Sequence, residues 1–292
     1  MLEQIFDKLD MSQEARNVMA DMRGKYGELQ DLQNDLFNAD VSEETLVEKT
    51  SQRAKELGVH EYTFALYLLV ISAKKLRERY DEQGISDEIF WDSLMDIKYK
   101  MRECQEVHGI IGTFVFGWFS GFYRMQRFAL GRMQYDIAKY WWKTPYENGD
   151  LHIEKGYPIL SCHIPSSGEP LTKAVRLDSY RRAYEFTAGM DGYRPLVIIC
   201  DTWLFYPEHK NFLPKNSNIL DFMDDFTIVE HVETDGFPDA WRIFAAASKL
   251  PPEQWPTDTS LQRAFAERVR AGLPTGLGRG LLIFDGENIV HG

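Results

Sequence analysis

The residues with the most chemistry in them lie between Leu160 and Phe205. Leu160-Ser161-Cys162-His163-Ile164 is a short apolar run. It ends in Pro165-Ser166-Ser167-Gly168-Glu169-Pro170, a sequence that cannot continue a strand. A Ser-Ser-Gly loop between a strand and a helix can turn backbone N–H groups toward a phosphate, so Ser166, Ser167 and Gly168 are candidate anion ligands. The other reading is an ordinary turn, in which the serines bond local backbone groups. His163 is a candidate general base, because an imidazole changes its charge close to neutral pH. A histidine hydrogen-bonded in or beside a sheet is the alternative. Asp201 could position or deprotonate a substrate, or simply cap a turn. Arg176, Arg181 and Arg182 follow the loop; they could meet phosphates or form a solvated helix face.

These residues need elements to hold them. A helical segment follows the loop and ends near Gly189, and Pro195 to Cys200 is the most continuously apolar run of this half. Short apolar runs bounded by turn residues predict buried strands, and a helix between them predicts a parallel or mixed sheet. Upstream, Arg127 to Lys139 reads as one strand and Trp141 to Asp150 as a turn-rich excursion. Downstream, Ile219 to Phe226 reads as a helix. Thr227 to Val232 and Trp241 to Phe244 read as strands, Thr259 to Ala271 as a helix, and Gly280 to Phe284 as a last strand. Thr275-Gly276-Leu277-Gly278-Arg279-Gly280 is read as a turn.

Residues 1 to about 105 read as helices. Ser12 precedes the segment Gln13 to Asn38, Ser42 caps a helix running to Leu57, and Ser86 caps one running through Glu103. His60 to Arg79 is the most apolar of them and the expected core of a bundle. Connections of two to six residues imply antiparallel neighbours. Gly109 to Phe122 reads as a tightly packed connector whose rings serve packing or line a ligand pocket. Helices first, then mixed strands and helices, predict an α+β chain with a helical domain over 1–124 and a second domain over 125–292.

The chain has 292 residues and a formal net charge of −12. That charge argues against nonspecific binding to nucleic acid or anionic membrane, which need a basic face. Cys104, Cys162 and Cys200 have an odd count and no metal-ligand spacing, which suits a reducing cytoplasm. His60, His108, His152, His209, His231 and His291 lack metal-binding spacing too, so no metal is expected. The acidic, amphipathic N-terminus is no signal peptide, and no apolar run reaches the roughly 20 residues of a membrane span. The expected location is cytoplasmic.

Several stretches resemble the bacterial acyltransferase-domain family with a helical N-terminal domain (N-acyltransferase N-terminal type) and a GNAT-like C-terminal domain. They are Leu130 to Tyr135, His163 to Gly168 with Pro170-Leu171-Thr172, Asp201 to Leu204, Ser217 to Leu220, and Asp258 to Ala264. The resemblance implies a mixed, twisted sheet with flanking helices, in which two adjacent central strands splay apart to admit the pantetheine arm of an acyl-CoA. If Leu160–Ile164 is the fourth strand of that sheet, Pro195–Cys200 is the fifth. The resemblance then implies that Ile164, Ser166, Ser167, Gly168 and Asn218 bind the cofactor, acetyl-CoA or another acyl-CoA. It further implies that His163 or Asp201 helps deprotonate an amine, small-molecule or peptide, that attacks the thioester directly. Tyr206 would give a proton to the departing thiolate.

The loop carries one glycine and a carboxylate where GNAT enzymes usually carry Gln or Arg, two residues, Gly, one residue, then Gly or Ala. That difference keeps a second reading open: a non-catalytic module that binds or senses an acyl-CoA or another small ligand. In a third, the helical domain acts as an interaction surface, with a homodimer as one use of it.

Overall fold

The computed structural model describes residues 2–149 and 151–290. Asp150, from the turn-rich excursion, and His291 lie outside the described residues. The chain divides into two compact units. The first comprises Met1–Ala129 with Pro165–Ser167, and the second Leu130–Ile164 with Gly168–Gly292.

The first unit is helical: α1 (Leu2–Lys8), α2 (Gln13–Tyr26), α3 (Gln30–Phe37), α4 (Glu43–Glu56), α5 (Glu61–Glu82) and α6 (Asp87–His108). Ser12, Ser42 and Ser86 cap α2, α4 and α6 by accepting from the N–H groups of Ala15, Thr45 and Ile89. The single helix expected from Gln13 to Asn38 is broken, because Gly27 (φ +66°) and Leu29 (φ +49°) leave the helical region. α5 carries the core, with every residue from Phe64 to Ala73 buried. No described helix is long and apolar enough to cross a membrane. The glycine–aromatic connector forms a 3₁₀ turn (Phe116–Phe119) and α7 (Ser120–Tyr123), with Phe116, Phe119 and Phe122 buried as packing residues. Strand β1 (Arg127–Leu130) follows.

The second unit is built on β2 (Met133–Lys139), the hairpin β3 (Tyr146–Asn148) and β4 (Leu151–Ile153), β5 (Pro158–His163), α8 (Lys173–Phe186) and β6 (Leu196–Thr202). It continues with α9 (His209–Phe212), α10 (Asn218–Met223), β7 (Thr227–Thr234), α11 (Trp241–Phe244), α12 (Ser260–Arg270), β8 (Thr275–Phe284) and β9 (Ile289–Val290). Its sheet runs β2-β5-β6-β8-β7, with β9 on β8. β5 and β6 are parallel and the other pairs antiparallel, so the sheet is mixed, as expected. One face carries Ile159, Val197, Ile199, Leu281 and Ile283, packed with Tyr140, Trp142 and Ile153.

Three further expectations are corrected. The strand read from Arg127 to Lys139 is two strands, β1 and β2, separated at Gly131 (φ +73°). Trp241–Phe244 is the helical turn α11, because Ala240, Ile243, Phe244 and Ala247 follow a spacing of three and four and pack on Trp255 and Phe265. The glycine series at 276, 278 and 280 is not a turn but the first half of β8. Strand alternation puts the three glycines on one face. A Cβ there would lie 2.5 Å from Tyr206 Cδ2 at Gly276, 2.3 Å from the Phe205 carbonyl oxygen at Gly278, and 2.7 Å from Phe205 Cε2 at Gly280. The bare strand lets the chain beyond β6, a 3₁₀ turn (Trp203–Phe205) and then Tyr206, lie flat on it.

Candidate active site

The site begins where two central strands part. β5 and β6 pair at Leu160↔Ile198 and Ser161↔Ile199. Past that point each pairs only outward. Cys162 and His163 face Tyr135 and Gln134 of β2, whereas Cys200, Asp201 and Thr202 face Gly280, Arg279 and Gly278 of β8. The backbone edges of the two strands are thereby turned toward a gap instead of toward each other. Parallel register and a side-chain period of two put Ser161 and His163 on the same face as Ile199 and Asp201. His163 and Asp201 therefore stand level with each other on opposite sides of the gap.

On the β5 side, His163 Nε2 lies 3.0 Å from Asp136 Oδ2. Asp136 sits diagonally across the ladder, opposite Ser161. Both side chains are about a quarter exposed, at 28% and 25%, so water or a substrate reaches them. A carboxylate oxygen accepts, so Nε2 donates to it and Asp136 fixes the ring. Asp136 escaped sequence reasoning because it lies 27 residues from His163. Only the register makes them neighbours.

On the β6 side, Asp201 does not stand alone. Arg279 Nε donates to Asp201 Oδ2 at 2.9 Å, and its Nη1 donates to Glu230 Oε2 at 2.8 Å. Three adjacent strands thus carry an acid–base–acid row on one face. The Asp201 hydrogen bond is the largest of the effects that raise the Arg279 pKa, so the guanidinium stays charged. Its carbon lies 6.0 Å from the centre of the Trp142 ring. Arg279 and Glu230 were also missed, because the glycine series hid a strand whose alternate residue is the arginine.

The loop after β5 divides. Pro165–Ser167 belongs to the first unit, where the Ser166 hydroxyl donates to Glu103 and the Ser166 carbonyl accepts from Arg102. Glu103 also takes Lys100 Nζ at 3.1 Å. The Ser166 side chain is thus committed to a carboxylate. Ile164 and Ser167 are half-buried, and Gly168 is exposed with φ +87°. α8 starts at Lys173 after Thr172, whose side chain makes no capping bond. Arg176 is fully buried and spent: Nε donates to Asp225 at 2.6 Å, Nη2 to Asp221 at 2.9 Å and Nη1 to the Leu171 carbonyl at 2.9 Å. It braces the loop that precedes its own helix. Arg182 bonds Asp178 at 2.8 Å, and Arg181 is exposed.

Tyr206 is buried over β8, on the β8–β7 side of β6, and its hydroxyl donates to Glu233 Oε1 at 3.2 Å. Burial, and then the Glu233 carboxylate, raise its pKa. Asn218 is the exposed first residue of α10, behind the capping Ser217. The Cys200 thiol is held protonated by burial, with Cys162 beside it. A buried, protonated thiol is a poor nucleophile.

Residues 128–282 match the GNAT-like C-terminal domain, and residues 1–125 match the N-acyltransferase N-terminal domain. The chain belongs to this family of GNAT-like proteins. No curated protein matches the sequence. Among solved structures, the chain is similar to an acyltransferase mutant in complex with octanoyl-CoA. Identity is 19%, coverage is 97% of this chain and 87% of that one, and the TM-score is 0.73. It is also similar to an acyltransferase in complex with decanoyl-CoA and teicoplanin, at 18% identity, 97% and 99% coverage and a TM-score of 0.66. A third, an acyltransferase in complex with decanoyl-CoA, has 20% identity, 97% and 99% coverage and a TM-score of 0.65.

Proposed function

We propose that the chain is an acyl-CoA-dependent N-acyltransferase, with a helical domain over 1–124 and the transferring domain over 125–292. The parting of β5 and β6 with a histidine–carboxylate pair at its mouth carries this reading. The structures it is similar to, crystallised with acyl-CoA, support it. The pantetheine arm would enter the gap, where the strand edges supply hydrogen bonds to its amides and to the thioester oxygen. Gly168 and the first turn of α8 would take the pyrophosphate, since helix N-termini attract anions.

The residues of the chain then divide the work. The imidazole of His163 takes the proton of the attacking amine while Asp136 orients the ring. The amine nitrogen bonds to the thioester carbon, the C–S bond breaks, and the proton leaves with the thiolate as the thiol of coenzyme A. No covalent enzyme intermediate is required.

Calorimetry with acetyl-CoA, octanoyl-CoA and desulfo-CoA tests the reading. Saturable binding that weakens when Gly168 is changed to aspartate is expected. A folded sample that binds none of the three would refute the acyltransferase and leave the helical domain as the functional part.

A further inference from the structure

Resting on the acyltransferase reading, we infer that Arg102 and Glu103, adjacent on α6, are positioning residues for the donor: they grip Ser166 and so set the shape of the loop that takes the pyrophosphate. Pro165–Ser167 packs as part of the first unit. There, two consecutive residues of α6 hold the same serine at two points. Arg102 Nη2 donates to the Ser166 carbonyl, and the Ser166 hydroxyl donates to Glu103 Oε1. Main chain and side chain are thus fixed together, from residues 64 and 63 positions away. The carboxylate is itself held. Glu103 is 7% exposed and Lys100 8%, and Lys100 Nζ donates to both of its oxygens, at 3.2 and 3.1 Å. A buried ion pair adds little to stability by itself, because desolvation offsets the attraction. One that also takes the hydroxyl of a distant loop fixes that loop in place.

The chemistry of a phosphate gives the grip its use. Phosphate oxygens are repelled by carbonyl oxygens and attracted by N–H groups, so a loop that takes a pyrophosphate must turn its carbonyls aside. Glycines achieve this through φ, but Pro165–Pro170 has only Gly168, at φ +87°. Guanidinium groups do the rest. Besides the grip of Arg102 on Ser166, Arg132 Nε donates to the Glu169 carbonyl at 3.0 Å and Arg176 Nη1 to the Leu171 carbonyl at 2.9 Å. Arg132 and Arg176 are buried, whereas the Arg102 side chain is 45% exposed. Arg102 is therefore the clamp that can be removed without opening a core.

Calorimetry of octanoyl-CoA on Arg102→Gln and Ser166→Ala tests the inference, with Tm as the control for folding. Ser166→Ala leaves Glu103 its Lys100 partner and keeps the fold. The Kd for octanoyl-CoA should rise about tenfold in Arg102→Gln and several-fold in Ser166→Ala, with Tm held in both. A clamp acts through the shape of the loop, so the ratio of variant to wild-type Kd should persist in about 0.5 M salt, where a charge acting on the phosphates through water is screened. An unchanged Kd in Arg102→Gln would overturn the inference, whether or not Tm falls. So would a ratio that returns to one in high salt, which would make Arg102 a remote charge and not a positioning residue. A folded wild type that binds no octanoyl-CoA would fell the acyltransferase reading and this inference with it, an outcome distinct from a wild type that binds and a variant that binds equally well.

Discussion

At the scale of single residues, the pair His163–Asp136 makes the sharpest demand. A base in contact with the reacting amine contributes to the rate of transfer but little to holding the donor. His163→Ala is therefore expected to lower kcat by about 10²-fold or more, with acyl-CoA binding preserved in calorimetry. A variant that turned over like wild type would remove His163 from the chemistry. Asp136 acts through the ring it orients, 3.0 Å away. Asp136→Asn should lower kcat by roughly 10-fold and leave KM for the donor in place, whereas a merely structural role would cost Tm and lower both kcat and the folded fraction. His163 and Asp201 could be picked out of the sequence because one ends its strand and the other lies one residue from the end, each beside a turn. Asp136, Arg279 and Glu230 could not. Their importance lies in cross-strand register, and nothing in linear spacing encodes which residue of a partner strand arrives opposite.

At the scale of elements, β8 shows what composition conceals. Three glycines in six residues look like a loop, yet here they clear one face of a strand for Phe205 and Tyr206. Gly278→Ala would drive a Cβ to 2.3 Å from the Phe205 carbonyl oxygen, a backbone atom that cannot swing aside. A loss of about 1–3 kcal/mol in chemical denaturation is expected; unchanged stability would show that the turn after β6 lifts away. Gly24 in α2 is the counter-case, with no atom within 4 Å of a new Cβ. Gly24→Ala should stabilise by about 0.5–1 kcal/mol. The clamp of α8 is the third case. Arg176→Met would strand Asp225, which is 3% exposed, without its cation, at a cost of roughly 3–5 kcal/mol. Adding Asp225→Leu should recover most of it, and failure to recover would mean that packing rather than charge sets the cost. Helices α4 and α6 of the first unit were legible because serine caps, glycine stops and apolar faces agree with one another, whereas the break between α2 and α3 has no serine cap to mark it. α11 and β8 were not, because four-residue apolar runs and glycine runs serve helix, strand and turn alike.

For the whole molecule, helices first and mixed elements afterwards was enough to read the α+β architecture. One consequence of that architecture appears only in global stability. The short helices after β6 build a small aromatic core in which His209 is 1% exposed among Trp203, Tyr206, Phe212 and Phe265. Nε2 of His209 donates to the Trp203 carbonyl at 2.8 Å, and Nδ1 has no partner among the described residues. Burial first, and then the nearby Arg268 charge, oppose protonation and bring the pKa down to about 4, although the Trp203 carbonyl pulls the other way. The unfolded chain takes up this proton near pH ~6.5, so between that pH and about 4 the unfolded state binds more protons than the folded one. The stability from a neutral His209 is therefore complete above pH ~6.5 and drains away as the pH falls, by on the order of 3 kcal/mol at the acid limit. Urea titrations at pH 7.5, 6.5, 5.5 and 5.0 stay above the range where most carboxylates protonate. The midpoint should hold between the first two and fall progressively at the others. In His209→Gln, which carries no titrating ring, the wild-type and variant curves should converge as the pH drops. Parallel curves would place the acid sensitivity in other groups and make His209 an ordinary packed ring.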